Sequence, residues 1–234
     1  RLCEYYAQHN INITPDDIVV TNGGSEALQI AFTICCNPGD EVLIPEPYYT
    51  NYNSFAILSD TVIKTIPSVI DNGFALPPIE EFEKAIKKGV KIAVFTHVSN
   101  AFGYILPIEE LASMCRKNGV RFIVDAAQSA GSLPVKLRQL GADFIAMPGH
   151  KGLLGPQGTG LLLCADGAEP LLFGGTGNQS VQQTMPEDLP ERLEAGTLNV
   201  PGIAGLGAGL SYLKQVGLKT IHAREHDQML RCAQ

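Results

Sequence analysis

The chain has 234 residues, 45% of them hydrophobic, and a formal net charge of −7 at pH 7. This length accommodates one large α/β domain or two small ones, with a sizeable core. The acidic balance and the scattered lysines and arginines argue against nucleic acid or an acidic membrane as a partner, because both require a basic face.

The six cysteines form no C-x-x-C pair and no cluster typical of a metal site, which favours reduced thiols in a cytoplasmic protein. His222 and His226 have i, i+4 spacing but no evident third ligand, so we expect no metal. No apolar stretch approaches about 18 uncharged residues, so no membrane helix is predicted. Both ends stop within helical patterns, and we therefore expect truncation at each end.

Short apolar runs alternate with helical stretches, which is typical of a largely parallel α/β sheet. In the first half, the pattern predicts a strand at Ile18–Thr21, a helix over 25–36, a strand at Glu41–Pro45, an aromatic loop over 48–52, a strand over 61–66, a helix over 78–88 and a strand over 91–96. In the second half, it predicts a helix over 107–118, strands at Arg121–Asp125, 143–147 and Gly160–Cys164, an exposed polar flap over 174–191, and one long helix from residue 202 onward.

Lys151 follows a predicted strand and is surrounded by glycines, so that a bulky ligand can reach its amine. A partly desolvated lysine loses its proton readily, as the amine of a Schiff base must. Taken alone, a solvated loop lysine is the commoner explanation. The order of residues required for a phosphate-binding P-loop is absent.

Asp125 ends an apolar strand, where open α/β sheets bind their ligands. Pyridoxal phosphate (PLP) needs such an acid to keep its ring nitrogen protonated, although an aspartate here could simply cap the next segment. The turn at Gly24 and Ser25 leads into a helix whose free amides favour a phosphate, but turn glycines are common. Tyr49 could stack on a planar ring or serve only in packing.

Together these residues resemble fold-type I PLP enzymes. From about residue 95 onward the chain is similar to class V aminotransferases of the cysteine desulfurase type, in residues 96–100 (THVSN), 124–131 (VDAAQSAG), 148–160 (PGHKGLLGPQGTG) and 194–199 (EAGTLN). Residues 1–85 instead resemble aspartate-type class I aminotransferases, in residues 18–28 (IVVTNGGSEAL), 37–52 (NPGDEVLIPEPYYTNY) and 72–79 (NGFALPPI). The change falls near residues 86–93, within what both branches build as one large domain.

The resemblance implies that residues 1–234 form a PLP-binding large domain, with a mostly parallel seven-stranded sheet between two layers of helices. It implies that Lys151 holds the cofactor covalently and moves the substrate α-proton, and that Asp125 pairs with the ring nitrogen. The other cofactor contacts that it implies are Gly24, Ser25 and His150 for the phosphate, Thr176 for the phosphate of a partner subunit in a homodimer, Tyr49 as the stacking ring, Gln128 for the phenolic oxygen, and Asn100 beside it.

Some family features are missing from the sequence. Pro148 stands where many desulfurases have a phosphate-binding serine. The arginine that binds the substrate carboxylate and the loop cysteine that accepts sulfur would lie beyond residue 234, together with the small C-terminal domain. The expected function is therefore PLP-dependent chemistry on an amino acid, with cysteine desulfuration first. The alternatives are an aspartate-type aminotransferase and a non-catalytic PLP-binding fragment.

Overall fold

The structure is a computed structural model, and it describes residues 2–7, 13–87, 89–165, 168–176 and 184–232. The described strands are β1 (Ile18–Thr21), β2 (Glu41–Pro45), β3 (Val62–Ile66), β4 (Ile92–Thr96), β5 (Arg121–Asp125), β6 (Phe144–Pro148) and β7 (Gly160–Cys164). The described α-helices are α1 (Leu2–Ala7), α2 (Gly24–Cys35), α3 (Asn51–Leu58), α4 (Ile79–Lys87), α5 (Ile108–Lys117), α6 (Leu137–Leu140), α7 (Val200–Val216) and α8 (Leu218–Cys232).

The strands form one sheet in the order β1-β7-β6-β5-β4-β2-β3. β7 runs antiparallel to both of its neighbours, and the other paired strands are parallel. The antiparallel pairing of β7 with β6 has a local cause, because these two strands are joined by a loop over residues 149–159 with no crossover helix. Strands connected without a crossover pair antiparallel. The predicted mostly parallel seven-stranded sheet is confirmed.

Successive side chains of each strand enter opposite cores, as the pleat requires. In β5, Phe122 and Val124 pack in the core beneath α4, α5 and α7, whereas Ile123 packs in the core beneath α2 and α3. The sheet therefore lies between two helical layers, as expected. By the same alternation, Asp125 lies on the α2 and α3 side of the sheet.

The change in family resemblance near residues 86–93 falls between α4 and β4. Ile86 and Ala93 lie in the same core, and Ala93 pairs with Leu43 of β2. Residues before and after this point thus build one sheet and pack in a shared core.

Two predictions for helices were wrong. Residues 51–58 form α3, because Tyr52, Phe55 and Ala56 give a short helix a buried face at i, i+3 and i+4. The long C-terminal helix is two helices, since Gly217 has a φ of +84° and ends α7. The short helix α6 had no predicted counterpart.

Part of the predicted flap, residues 177–183, lies outside the described residues. Its described remainder contains no helix or strand before a 3₁₀ turn at Glu191–Leu193. Within the described ranges, no helix has both the length and the apolar character that crossing a membrane requires.

Candidate active site

A cavity of about 370 Å³ opens at the carboxyl edge of the sheet. β1, β2, β4, β5 and β6 all end at this edge, because they run in the same direction. Eight of the nine predicted site residues line the cavity: Gly24, Ser25, Tyr49, Asn100, Asp125, Gln128, His150 and Lys151. The ninth, Thr176, is not among the lining residues.

Lys151 lies in the loop that joins β6 to β7. Backbone hydrogen bonds close this loop on itself, from Gly149 N–H to the Thr159 carbonyl (2.7 Å) and from Gly155 N–H to the Gly149 carbonyl (2.8 Å). A Cβ on Gly149 would lie 2.2 Å from Thr159 Oγ1. This glycine therefore permits a close loop packing that presents the lysine at the cavity.

The loop that follows β5 packs directly on the lysine loop. A Cβ on Gly131 would lie 1.9 Å from the Gly152 carbonyl oxygen, and a Cβ on Gly152 would lie 2.2 Å from the Ala130 carbonyl oxygen. The two backbones thus meet without intervening side chains. This contact brings the segment that carries Gln128 beside the segment that carries Lys151.

Asp125 is buried at the end of β5, with 5% of its surface exposed. One carboxylate oxygen, Oδ1, accepts a hydrogen bond from the Ala127 N–H (2.8 Å), and Oδ2 accepts one from the Tyr52 hydroxyl (2.5 Å). Burial raises the pKa of Asp125, while these two hydrogen bonds and the charge of Lys151 act in the opposite direction. Asp125 therefore does cap the segment that follows it, through Ala127, and it also accepts a hydrogen bond from Tyr52, which is distant in sequence.

Tyr52 was missed by the sequence reasoning, which assigned it to a loop and selected Tyr49. Tyr49 is 43% exposed at the cavity, and its hydroxyl accepts a hydrogen bond from Asn51 Nδ2 (2.8 Å). Tyr52 is 1% exposed, and its ring meets that of Tyr49 edge to face at 6.1 Å. The signal that identifies it is the helical spacing of Tyr52 and Phe55, which places Tyr52 on the inner face of α3.

The N-terminus of α2 forms the end of the cavity nearest β1. Gly23 caps this helix with a φ of +89°, and Ser25 lies in its first turn. A Cβ on Gly24 would lie 3.0 Å from the Pro148 ring, so glycine lets the helix start pack against the end of β6. Pro148 therefore has a packing role here. The first-turn amides of a helix lack acceptors within that helix and can bind an anion.

The remaining predicted residues differ in position. Asn100 lies in the turn between the bridged residues Val98 and Ile105, and Gln128 lies in the turn after β5. Thr176 is not among the residues that line the cavity, and its buried Oγ1 has no hydrogen-bond partner in the described part of the chain. Its predicted role toward a partner subunit stays a prediction.

Proteins of known sequence are similar to this chain. A probable cysteine desulfurase from Methanothermobacter thermautotrophicus is 36% identical over 219 residues, which cover 90% of this chain and 54% of the relative. One from Pyrococcus abyssi is 34% identical over 231 residues, which cover 94% of this chain and 57% of the relative. This chain thus matches little more than half the length of these relatives.

Solved structures and a family profile agree with these relatives. The apo structure of a cysteine desulfurase from Thermococcus onnurineus NA1 superposes with a TM-score of 0.82 at 33% identity, and the match covers 98% of this chain and 60% of that one. The profile of the family described as aminotransferase class-V matches residues 4–233, including the segment with class I-like motifs. The chain therefore belongs to the class-V aminotransferase family.

Proposed function

We propose that this chain is the PLP-binding part of an enzyme that acts on an amino acid, with cysteine desulfuration as the first candidate reaction. The observation that carries the proposal is a single cavity lined by the buried carboxyl of Asp125, the amine of Lys151 and the N-terminus of α2. The relatives described as probable cysteine desulfurases support the choice of reaction.

The donor and acceptor groups of the cavity fit PLP. The first-turn amides of α2, with Ser25 and His150, suit a phosphate, and a carboxylate suits a protonated ring nitrogen. Tyr49 supplies an exposed aromatic face for a flat ring. Asn100 and Gln128 supply amide donors for a phenolic oxygen. Lys151 supplies the amine for covalent attachment.

When bound, PLP supplies an electron-withdrawing ring that stabilises negative charge on the α-carbon of an attached amino acid. Two residues of the chain would maintain and use the electron-withdrawing character of the ring. Asp125 in its carboxylate form would keep a proton on the ring nitrogen. Lys151 would hold the cofactor covalently, and its free amine would serve as the base that removes a proton at the substrate α-carbon and returns it.

Desulfuration also needs a group that binds the substrate carboxylate and a thiolate that accepts sulfur. No arginine or cysteine is among the described residues that line the cavity. Burial raises the pKa of four thiols to about 12, which leaves them protonated at neutral pH; these are Cys35, Cys36, Cys115 and Cys164. We therefore expect this chain to bind PLP far better than it releases sulfide from cysteine.

Cofactor attachment is the direct test. The protein incubated with PLP should develop a visible absorbance band, and borohydride reduction followed by peptide mapping should place the label on Lys151. Lys151→Ala should abolish both signals, whereas Lys117→Ala on α5 should retain them. A label on another lysine would overturn the assignment.

The class I-like motifs in the first third of the chain favour an aspartate-type aminotransferase as the second candidate. Both candidates share cofactor attachment and proton removal, and they differ in the product. Assays for sulfide and alanine from cysteine, beside assays for keto acid from aspartate, distinguish them. PLP binding with neither product supports the non-catalytic alternative.

A homodimer is also part of the proposal, because the resemblance implies that Thr176 binds the phosphate held by the neighbouring subunit. Symmetric dimers are the commonest oligomers. Sedimentation at tens of micromolar, a rough range for such an assembly, should show a dimer; a monomer alone would contradict the proposal.

A further inference from the structure

Tyr52 is the described tyrosine whose hydroxyl reaches the buried carboxyl of the cavity. It donates to Asp125 Oδ2 at 2.5 Å across 73 residues of sequence. Tyr48 and Tyr49 also line the cavity, but their hydroxyls bond to Asn53 and Asn51 instead. The hydrogen bond to Asp125 thus distinguishes Tyr52 from the neighbouring Tyr48 and Tyr49.

The ring of Tyr52 is held on several sides. Its centroid lies 6.0 Å from that of Tyr48 with an interplanar angle of 4°, and it lies 6.2 Å from Phe32 and 6.3 Å from Phe55. Phe32 belongs to α2 and Phe55 to α3, so both helices of this layer contribute. A ring fixed in this way places its hydroxyl at one point above the end of β5.

Both oxygens of Asp125 are consequently anchored, Oδ1 by the Ala127 N–H and Oδ2 by Tyr52. Two donors fix the plane of the carboxyl group and favour its ionised form, against the effect of burial. An ionised carboxylate has about four acceptor positions, so it can still accept a third hydrogen bond. We propose that Tyr52 is a positioning residue that keeps Asp125 ionised and correctly oriented for the cofactor ring, an inference that rests on the proposed PLP site.

The cofactor-free protein allows a test that does not depend on activity. The carboxyl carbon of Asp125, assigned by comparison with Asp125→Asn, is followed by ¹³C NMR as the pH is varied. Tyr52→Phe keeps the ring and removes the donor, so the pKa of Asp125 should rise further. The other titratable groups that face the pair, which include Lys151, Tyr48 and Tyr49, are unchanged in this variant.

Tyr48→Phe is the matched control, because it removes a neighbouring hydroxyl that bonds to Asn53. The pKa of Asp125 should be the same in this variant as in the wild-type protein. An unchanged Asp125 titration in Tyr52→Phe would overturn the inference. If Tyr52→Phe does not fold, wild-type protein made with 3-fluorotyrosine replaces it. Its more acidic phenols should lower the pKa of Asp125, and no change would again overturn the inference.

PLP affinity separates this inference from the proposed function. Tyr52→Phe should bind PLP about tenfold more weakly than the wild type. Equal affinity in Tyr52→Phe and wild type would contradict the positioning role. Wild-type protein that fails to bind PLP would overturn the proposed function, while the titration would still report whether Tyr52 controls Asp125.

Discussion

Replacing Gly131 by alanine should separate two loops that pack on each other beside the cavity, the loop after β5 and the loop after β6. The new methyl group would lie 1.9 Å from the Gly152 carbonyl oxygen, which belongs to the loop of Lys151. Because the obstacle is backbone, no side chain can rotate to relieve the overlap, and one loop must move. Movement of either loop changes the position of Gln128 relative to Lys151.

The expected loss of stability has two parts. Gly131 has a φ of +92°, and alanine in left-handed backbone costs roughly 1–2 kcal/mol. Overpacking of a close contact adds about 1–3 kcal/mol. The free energy of unfolding should therefore fall by about 2–5 kcal/mol, a large fraction of the 5–15 kcal/mol typical of a folded domain.

Urea unfolding followed by circular dichroism measures this loss, and Gly89→Ala is the matched control. Gly89 also has a φ of +92°, but nothing lies within 4 Å of its added Cβ. Its variant should lose only the backbone part, roughly 1–2 kcal/mol. Equal losses in the two variants would show that the contact between the loops has no energetic importance. Undiminished PLP binding by Gly131→Ala would show that the contact does not shape the cavity.

Three further predictions concern titratable groups. Asp125→Ala should retain some PLP, but the rate at which the substrate exchanges its α-hydrogen, measured by NMR, should fall by about 100-fold. Undiminished exchange would exclude the proposed role of Asp125. A thiol with a pKa of about 12 is ionised in roughly one molecule in 10,000 at pH 8. Iodoacetamide should therefore modify the exposed Cys232, and a peptide map should show that Cys35, Cys36, Cys115 and Cys164 are spared. Burial lowers the pKa of His97, so the unfolded chain takes up a proton that the folded chain does not, and the free energy of unfolding should decrease as the pH falls below about 6.5. In His97→Gln the urea midpoint should decrease less between pH 7.5 and 5.5 than in the wild-type protein. An equal decrease in the two proteins would contradict this reasoning.

The central strands were predictable because their signal is local. Runs such as Ile92–Thr96 and Arg121–Asp125 are apolar, short and bounded by turn residues, which is typical of strands buried on both faces. The carboxyl ends of parallel strands meet at one edge of the sheet, where open α/β sheets bind their ligands. Lys151 and Asp125 do line one cavity.

Local patterns were less informative where a helix is short or interrupted. Residues 51–58 offer only two turns, and their aromatic content is equally typical of a loop. The residues of α8 follow those of α7 with a single residue between the two helices, and that residue, Gly217, has a φ of +84°. In both places packing decides the outcome, because a short helix gains most of its stability from its buried face.

The sequence by itself determined the strand content, the family resemblance and the candidate residues for a PLP site, since these depend on residue type and short-range order. Only the tertiary structure decided which partners those residues have. The bond from Tyr52 to Asp125 spans 73 residues, and Gly131 meets Gly152 between two different loops. Such contacts depend on how α3 packs against the sheet and how the loops after β5 and β6 fold over its edge. No periodicity within one segment encodes them, because each requires two distant segments to be placed in the same core.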